Sequence, residues 1–76
     1  MIYDGKIQTT NFTNGQVLVI RGTDADPDLS DVLGVLTPES GSWVVTQIYD
    51  KTKPELLGVA DDVDHAVAVY FLPMVS

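Results

Sequence analysis

A chain of 76 residues carries 45% hydrophobic residues, no cysteine and a formal net charge of −7. The missing cysteines exclude disulfides and thiolate metal sites, and the negative charge opposes binding to nucleic acid or anionic membranes. A domain of this length buries only about 60% of the surface that its unfolded chain exposes. We therefore expect one domain over residues 1–76, stabilised by association with a partner.

The first part of the chain predicts a β-hairpin. Residues 6–12 and 16–21 are short segments rich in β-branched side chains, which is typical of strands. Between them Asn14-Gly15 suits the positive φ angles of a type I′ turn. A further strand is predicted over residues 42–49, with surface loops at 38–42 and 50–54. The sequence thus favours a mainly β fold.

The middle of the chain allows two interpretations. After an acidic, turn-like stretch, a short helix around residues 27–36 could begin at Pro27 with Asp26 as its cap. The alternative is a strand over residues 31–36, and periodicity does not separate a short buried strand from two turns of helix. We expect at most this one short helix.

The tripeptide Leu-Gly-Val occurs twice, at residues 33–35 and 57–59. If the repetition is structural, it marks two similar strands in which glycine lets another backbone approach closely.

The C-terminal segment predicts an acidic turn and then an apolar strand. Asp61 and Asp62 suit a turn whose side chains accept hydrogen bonds from nearby backbone amides. Residues 66–72 are uncharged, and as a strand they would be apolar on both faces. In so short a chain we expect another subunit to cover the second face. The predicted partner interface consists of Val67, Val69, Phe71, Leu72 and Trp43, although an aromatic residue placed like Trp43 more often anchors the core.

The sequence contains no pattern typical of a catalytic or cofactor site. His65 is the only histidine, so a typical zinc site or nucleophilic triad cannot be completed. The neighbouring carboxylates have no evident partner for acid–base work. We expect no enzyme and no cofactor. The longest apolar run, residues 66–75, is about half of the roughly 20 residues that span a bilayer. With no secretory signal visible, we expect a protein made in the cytoplasm and no membrane partner.

Three segments resemble the head-decoration proteins of tailed phages, the lambda-type, capsid-cementing group. They are the early strand Gly15-Gln-Val-Leu-Val, the stretch Val45-Thr-Gln-Ile-Tyr-Asp50, and Leu57-Gly-Val-Ala-Asp-Asp-Val-Asp64 followed by an apolar strand. The chain departs from the family's pattern at Pro73-Met-Val75 and has little room for an N-terminal arm.

The resemblance implies a small β-clip-like fold and a trimer that binds the major capsid protein on the surface of the virion. The function expected from it is structural: decoration and stabilisation of a phage capsid. The alternative is a small acidic phage or mobile-element inhibitor that occupies a basic groove of a host nucleic-acid enzyme. Carboxylates gathered on one face would favour the inhibitor.

Overall fold

A computed structural model describes residues 1–48 and 54–75. Six antiparallel strands form one sheet in which neighbours along the chain are neighbours in space. The predicted mainly β fold is confirmed. The strands are β1 (Ile2–Tyr3), β2 (Ile7–Asn11), β3 (Val17–Arg21), β4 (Val32–Glu39), β5 (Ser42–Gln47) and β6 (Glu55–Ala60).

Tight turns with positive φ angles join β1 to β2, β2 to β3 and β4 to β5. The predicted hairpin is confirmed, since β2 pairs with β3 and both Asn14 and Gly15 have positive φ, at 57° and 77°. The connection between β4 and β5 uses Ser40 and Gly41 in the same way, at 52° and 83°. Pro38 and Glu39, predicted as loop, extend β4. Of the loop predicted at 50–54, residues 50–53 lie outside the described part of the chain.

The middle of the chain forms a strand after a single 3₁₀ turn, Leu29–Asp31. Of the two interpretations left open for this segment, the short helix around residues 27–36 is wrong and the strand is confirmed. β4 hydrogen-bonds to β3 on one side and β5 on the other, so pairing on both edges outweighs the local helical pattern.

The C-terminal segment is a helix, here called α1, and the prediction of a strand over residues 66–72 is wrong. α1 runs over residues 63–75 as α-helix Val63–Ala66, a π-helical segment Val67–Phe71 and α-helix Leu72–Val75. Its sheltered side chains recur three and four residues apart, the spacing of a helix that covers a core. They are Val63, Ala66, Val67, Tyr70 and Phe71.

The start of α1 and its π-helical segment each have an identifiable cause. Asp62 caps the helix, because its Oδ1 accepts a hydrogen bond of 2.7 Å from the backbone N–H of His65. This agrees with the predicted role of Asp62 in bonding a nearby amide. Pro73 lacks an N–H and would crowd the carbonyl four residues earlier. The π-helical segment just before it, closed by the N–H of Leu72 on the carbonyl of Val67, widens the helix there.

The core lies between α1 and one face of the sheet. Val67 and Phe71 of the helix are fully buried against apolar side chains of the strands, among them Ile7, Val19, Leu36, Val45 and Ala60. Both glycines of the repeated tripeptide lie here: a Cβ on Gly34 would meet the ring of Phe71, and one on Gly58 would meet Tyr70. At Gly34 the expected close approach of a second backbone is confirmed, because a Cβ there would also meet the backbone oxygen of Thr46, whereas at Gly58 the close approach is made by the side chain of Tyr70 alone.

Candidate docking surface

The sheet has a second apolar face, opposite α1, which we call the open face. Side chains alternate along a strand, so Val19 and Leu36 point to the core while Leu18 and Val35 point away from it. Leu18 pairs with Val35, and both are only half-buried. Farther across the sheet, Val44 is paired with Val59, which is 58% exposed. The open face therefore presents apolar side chains to solvent.

A groove of about 250 Å³ lies on the open face. Side chains from β3 and β4 form its floor, and the ends of neighbouring segments form its walls. Leu29, in the 3₁₀ turn, is 78% exposed, and Phe12 is 51% exposed. The lining is entirely apolar and consists of Phe12, Leu18, Leu29, Val32, Val35 and Ile48.

A β-bulge in β4 determines which of its side chains face the groove. Val19 pairs with Gly34 but Ile20 pairs with Val32, so Leu33 is the extra residue between them. The bulge lets Leu33 join the core while Val32 turns to the groove.

The acidic loop before β4 borders the open face. The side-chain amide of Gln8 donates a hydrogen bond of 2.7 Å to the carbonyl of Asp24. Gln8 pairs with Ile20, which is only 3% exposed although it lies outside the cluster packed against α1. The loop thus lies at the end of the open face where Ile20 is covered, and it leads directly into Leu29.

Because the C-terminal segment is a helix, the predicted interface residues do not share one surface. Val67 and Phe71 have no exposed surface, so the reason for assigning them to a partner fails: the chain's own sheet covers them. Trp43 and Leu72 are half-buried and pack against the same core. Val69 is 50% exposed on the outer side of α1. Partner contacts through Val69, Leu72 or Trp43 stay predictions.

Among the residues that line the groove, only Leu18 lies in a segment whose sequence indicates a second apolar face. Val17-Leu18-Val19-Ile20 is an uninterrupted apolar run, as expected of a strand that is covered on both faces. The sequence of β3 therefore indicates a strand that is apolar on both faces.

A second cavity, of about 440 Å³, lies where β1, β2 and β3 meet the start of α1. The phenol of Tyr3 lines it and donates a hydrogen bond of 2.6 Å to Oδ1 of Asp64. Desolvation, followed by this hydrogen bond and the carboxylate's charge, raises the pKa of Tyr3 to about 12. The pair joins the first strand to the helix, and a phenol that holds its proton so firmly is poorly suited to acid–base chemistry near neutral pH.

Within residues 1–48 and 54–75, no three His, Cys, Asp or Glu side chains are grouped to hold a metal ion. His65 is exposed at the first turn of α1. No helix in the same part of the chain has the length and apolar content to cross a bilayer. The most distinctive surface of the described residues is thus the apolar groove.

No protein-family model, curated protein or solved structure matches the chain.

Proposed function

We propose that the chain is a non-enzymatic structural protein that decorates and stabilises a phage capsid as a homotrimer, with the open face turned to the shell. The observation that carries this proposal is the apolar groove on a sheet whose other face is already filled by α1. Contiguous exposed apolar surface on so small a domain is typical of a site for another protein.

The energetics favour attachment at several points. Fully burying one large apolar side chain contributes about 1.5–3 kcal/mol, and the half-buried members of the groove contribute less. Association costs about 4–15 kcal/mol. One groove therefore gives a marginal contact. A trimer that engages a repetitive shell at three grooves gains effective concentration, which turns weak contacts into a stable clamp.

The choice of a phage capsid as the partner comes from the resemblance to head-decoration proteins. Parts of its three segments, residues 17–19, 45–47 and 57–60, lie in β3, β5 and β6. Its closing strand is replaced by α1, so the proposal rests on the earlier segments and on the groove.

The proposal is tested by adding the chain to shells assembled from the major capsid protein encoded in the same genome. We expect a trimer in sedimentation velocity, co-sedimentation with the shells, and shells that resist disruption by heat or chelator better than bare ones. A chain that is monomeric at every concentration and stays in the supernatant would contradict the proposal, as would a genome with no capsid gene.

The acidic inhibitor lacks a comparable observation. Its acids would have to gather on one face, but four of the described carboxylates lie in the loop at Asp24–Asp31, three lie at Asp61–Asp64 after a different strand, and Asp4, Glu39 and Glu55 lie elsewhere. We do not propose it.

A further inference from the structure

The groove is suited to a protein side chain rather than to a metabolite. Its volume of about 250 Å³ is at the small end for small-molecule sites, which typically measure about 300–1,000 Å³. Such sites also hold a few polar groups that orient the ligand, whereas all six residues that line this groove are apolar. A large apolar side chain needs no such group. The groove therefore has the chemistry of an interface centre.

The rim of the groove is acidic on one side. Asp28 and Asp31 flank Leu29-Ser30 in the 3₁₀ turn, and Asp31 is followed directly by Val32 of the groove. Upstream in the same loop, Asp24 and Asp26 are exposed. The loop is held against the open face by the hydrogen bond from Gln8. Four carboxylates therefore lie in the loop that enters the groove.

The described bases do not neutralise this rim. Lys6 lies 3.9 Å from the carboxylate of Asp4, in the turn between β1 and β2. Arg21 lines a different cavity, together with Leu33 and Met74 of the helix side. Within residues 1–48 and 54–75, no base is paired with a carboxylate of this loop, so a partner segment gains from carrying positive charge to it.

A second copy of the chain is a poor occupant. A groove packed against a groove would bring two acidic loops together, and their like charges oppose that contact. The charge pattern instead selects a basic partner.

We propose that the groove receives one large apolar side chain carried on a partner segment whose flanking residues are lysine or arginine. The apolar side chain fills the space between Leu18, Leu29 and Val35, and the flanking cations lie over the carboxylates of the loop. This inference deepens the proposed function and rests on it only for the partner's identity, a basic segment of the major capsid protein.

Three synthetic peptides test the chemistry on the intact chain. One has a Leu-Phe centre flanked by lysines, the second has the same centre flanked by glutamates, and the third has a Ser-Ser centre flanked by lysines. By fluorescence anisotropy we expect the first to bind about tenfold or more tightly than either of the others. Its affinity should fall severalfold between about 50 mM and about 500 mM salt, because salt screens the rim. Equal binding of all three peptides, or no binding of the first, would overturn the inference.

Matched variants locate the site. Leu29→Ser and Val35→Thr remove apolar surface from the groove, and Val69→Ser removes comparable surface from the outer side of α1. Each groove variant should weaken binding of the first peptide by about fivefold or more, while Val69→Ser leaves it unchanged. Thermal unfolding of each variant verifies that it is folded. A stronger effect of Val69→Ser than of the groove variants would overturn the inference.

Binding measurements with capsid shells distinguish a failure of this inference from a failure of the proposed function. If the first peptide binds through the groove but shells do not bind, the capsid function fails and the groove chemistry stands. If shells bind wild type and groove variants equally, the groove inference fails and the capsid function stands. If concentrated protein forms dimers that the groove variants abolish, the occupant is a second copy and the inference is wrong.

Discussion

Gly34 lies where the ring of Phe71 rests directly on the sheet. A Cβ at this position would lie 2.7 Å from Cζ of Phe71 and also against the backbone oxygen of Thr46. Neither neighbour can withdraw easily, because one is a buried ring and the other is part of β5. We expect Gly34→Ala to lower the free energy of unfolding by about 1–3 kcal/mol in urea titration, the usual cost of overpacking.

Gly58 provides the matched comparison for Gly34. The Cβ of Gly58→Ala would meet the hydroxyl end of Tyr70, a half-buried side chain that can rotate away. We expect this variant to lose less stability than Gly34→Ala in the same titration. A reversed order would show that the ring of Phe71 does not lie over β4 as described.

Tyr3 should reveal its contact with Asp64 through its titration. Tyr3 should form phenolate only near pH 12. The pKa is about 10 in the unfolded chain and about 12 in the folded one, so the unfolded chain loses its proton first. The contribution of Tyr3 to stability is complete below pH 10 and is lost as the pH rises to about 12.

Absorbance of the phenolate follows this titration. Tyr3→Phe should remove the late transition, and Asp64→Asn should lower its midpoint, because the charge that opposes ionisation is gone. A late transition that survives in Tyr3→Phe would contradict the assignment.

At the scale of the elements, the two structures considered for the C-terminal segment differ in which side chains share a face. In a strand Val67, Val69 and Phe71 would point the same way, whereas in α1 Val67 and Phe71 are buried and Val69 is on the outer side. Phe71→Ala should lower the free energy of unfolding by about 3–5 kcal/mol. Val69→Ala should stay within about 0.5 kcal/mol of wild type.

Phe71→Leu keeps this comparison measurable if Phe71→Ala does not fold, and its loss should fall between those of the other two variants. Chemical denaturation provides the free energies. Similar losses for Val69→Ala and Phe71→Leu would favour the strand.

β2, β3, β5 and the turn at Asn14-Gly15 could be predicted because their signals are local. β-branched runs and the Asn14-Gly15 pair hold their information in adjacent residues. The C-terminal segment is predicted as a strand because valine and aromatic residues favour strands. The spacing of Val63, Val67 and Phe71 is nevertheless that of a helix. Its cap at Asp62 was recognised as an amide-binding turn but not as the start of a helix.

At the scale of the whole molecule, the central feature is a sheet with apolar side chains on both faces and one helix to cover them. The excess of apolar surface could be predicted from the length and composition, but it lies on the open face instead of at the C-terminal segment. The groove could not be predicted, because Phe12, Leu29, Val35 and Ile48 are distant in sequence and meet only through the strand register and the bulge at Leu33. Contacts of that kind depend on the complete sheet.

One measurement tests directly whether the open face is the docking surface. The chain has no cysteine, so Ser30→Cys beside the groove and Ala68→Cys on the outer side of α1 each give one labelling site, and both positions are exposed. An environment-sensitive fluorophore at each site reports burial when capsid shells are added. We predict a blue shift and loss of quenching at position 30 and no change at position 68. A response confined to position 68 would contradict the account.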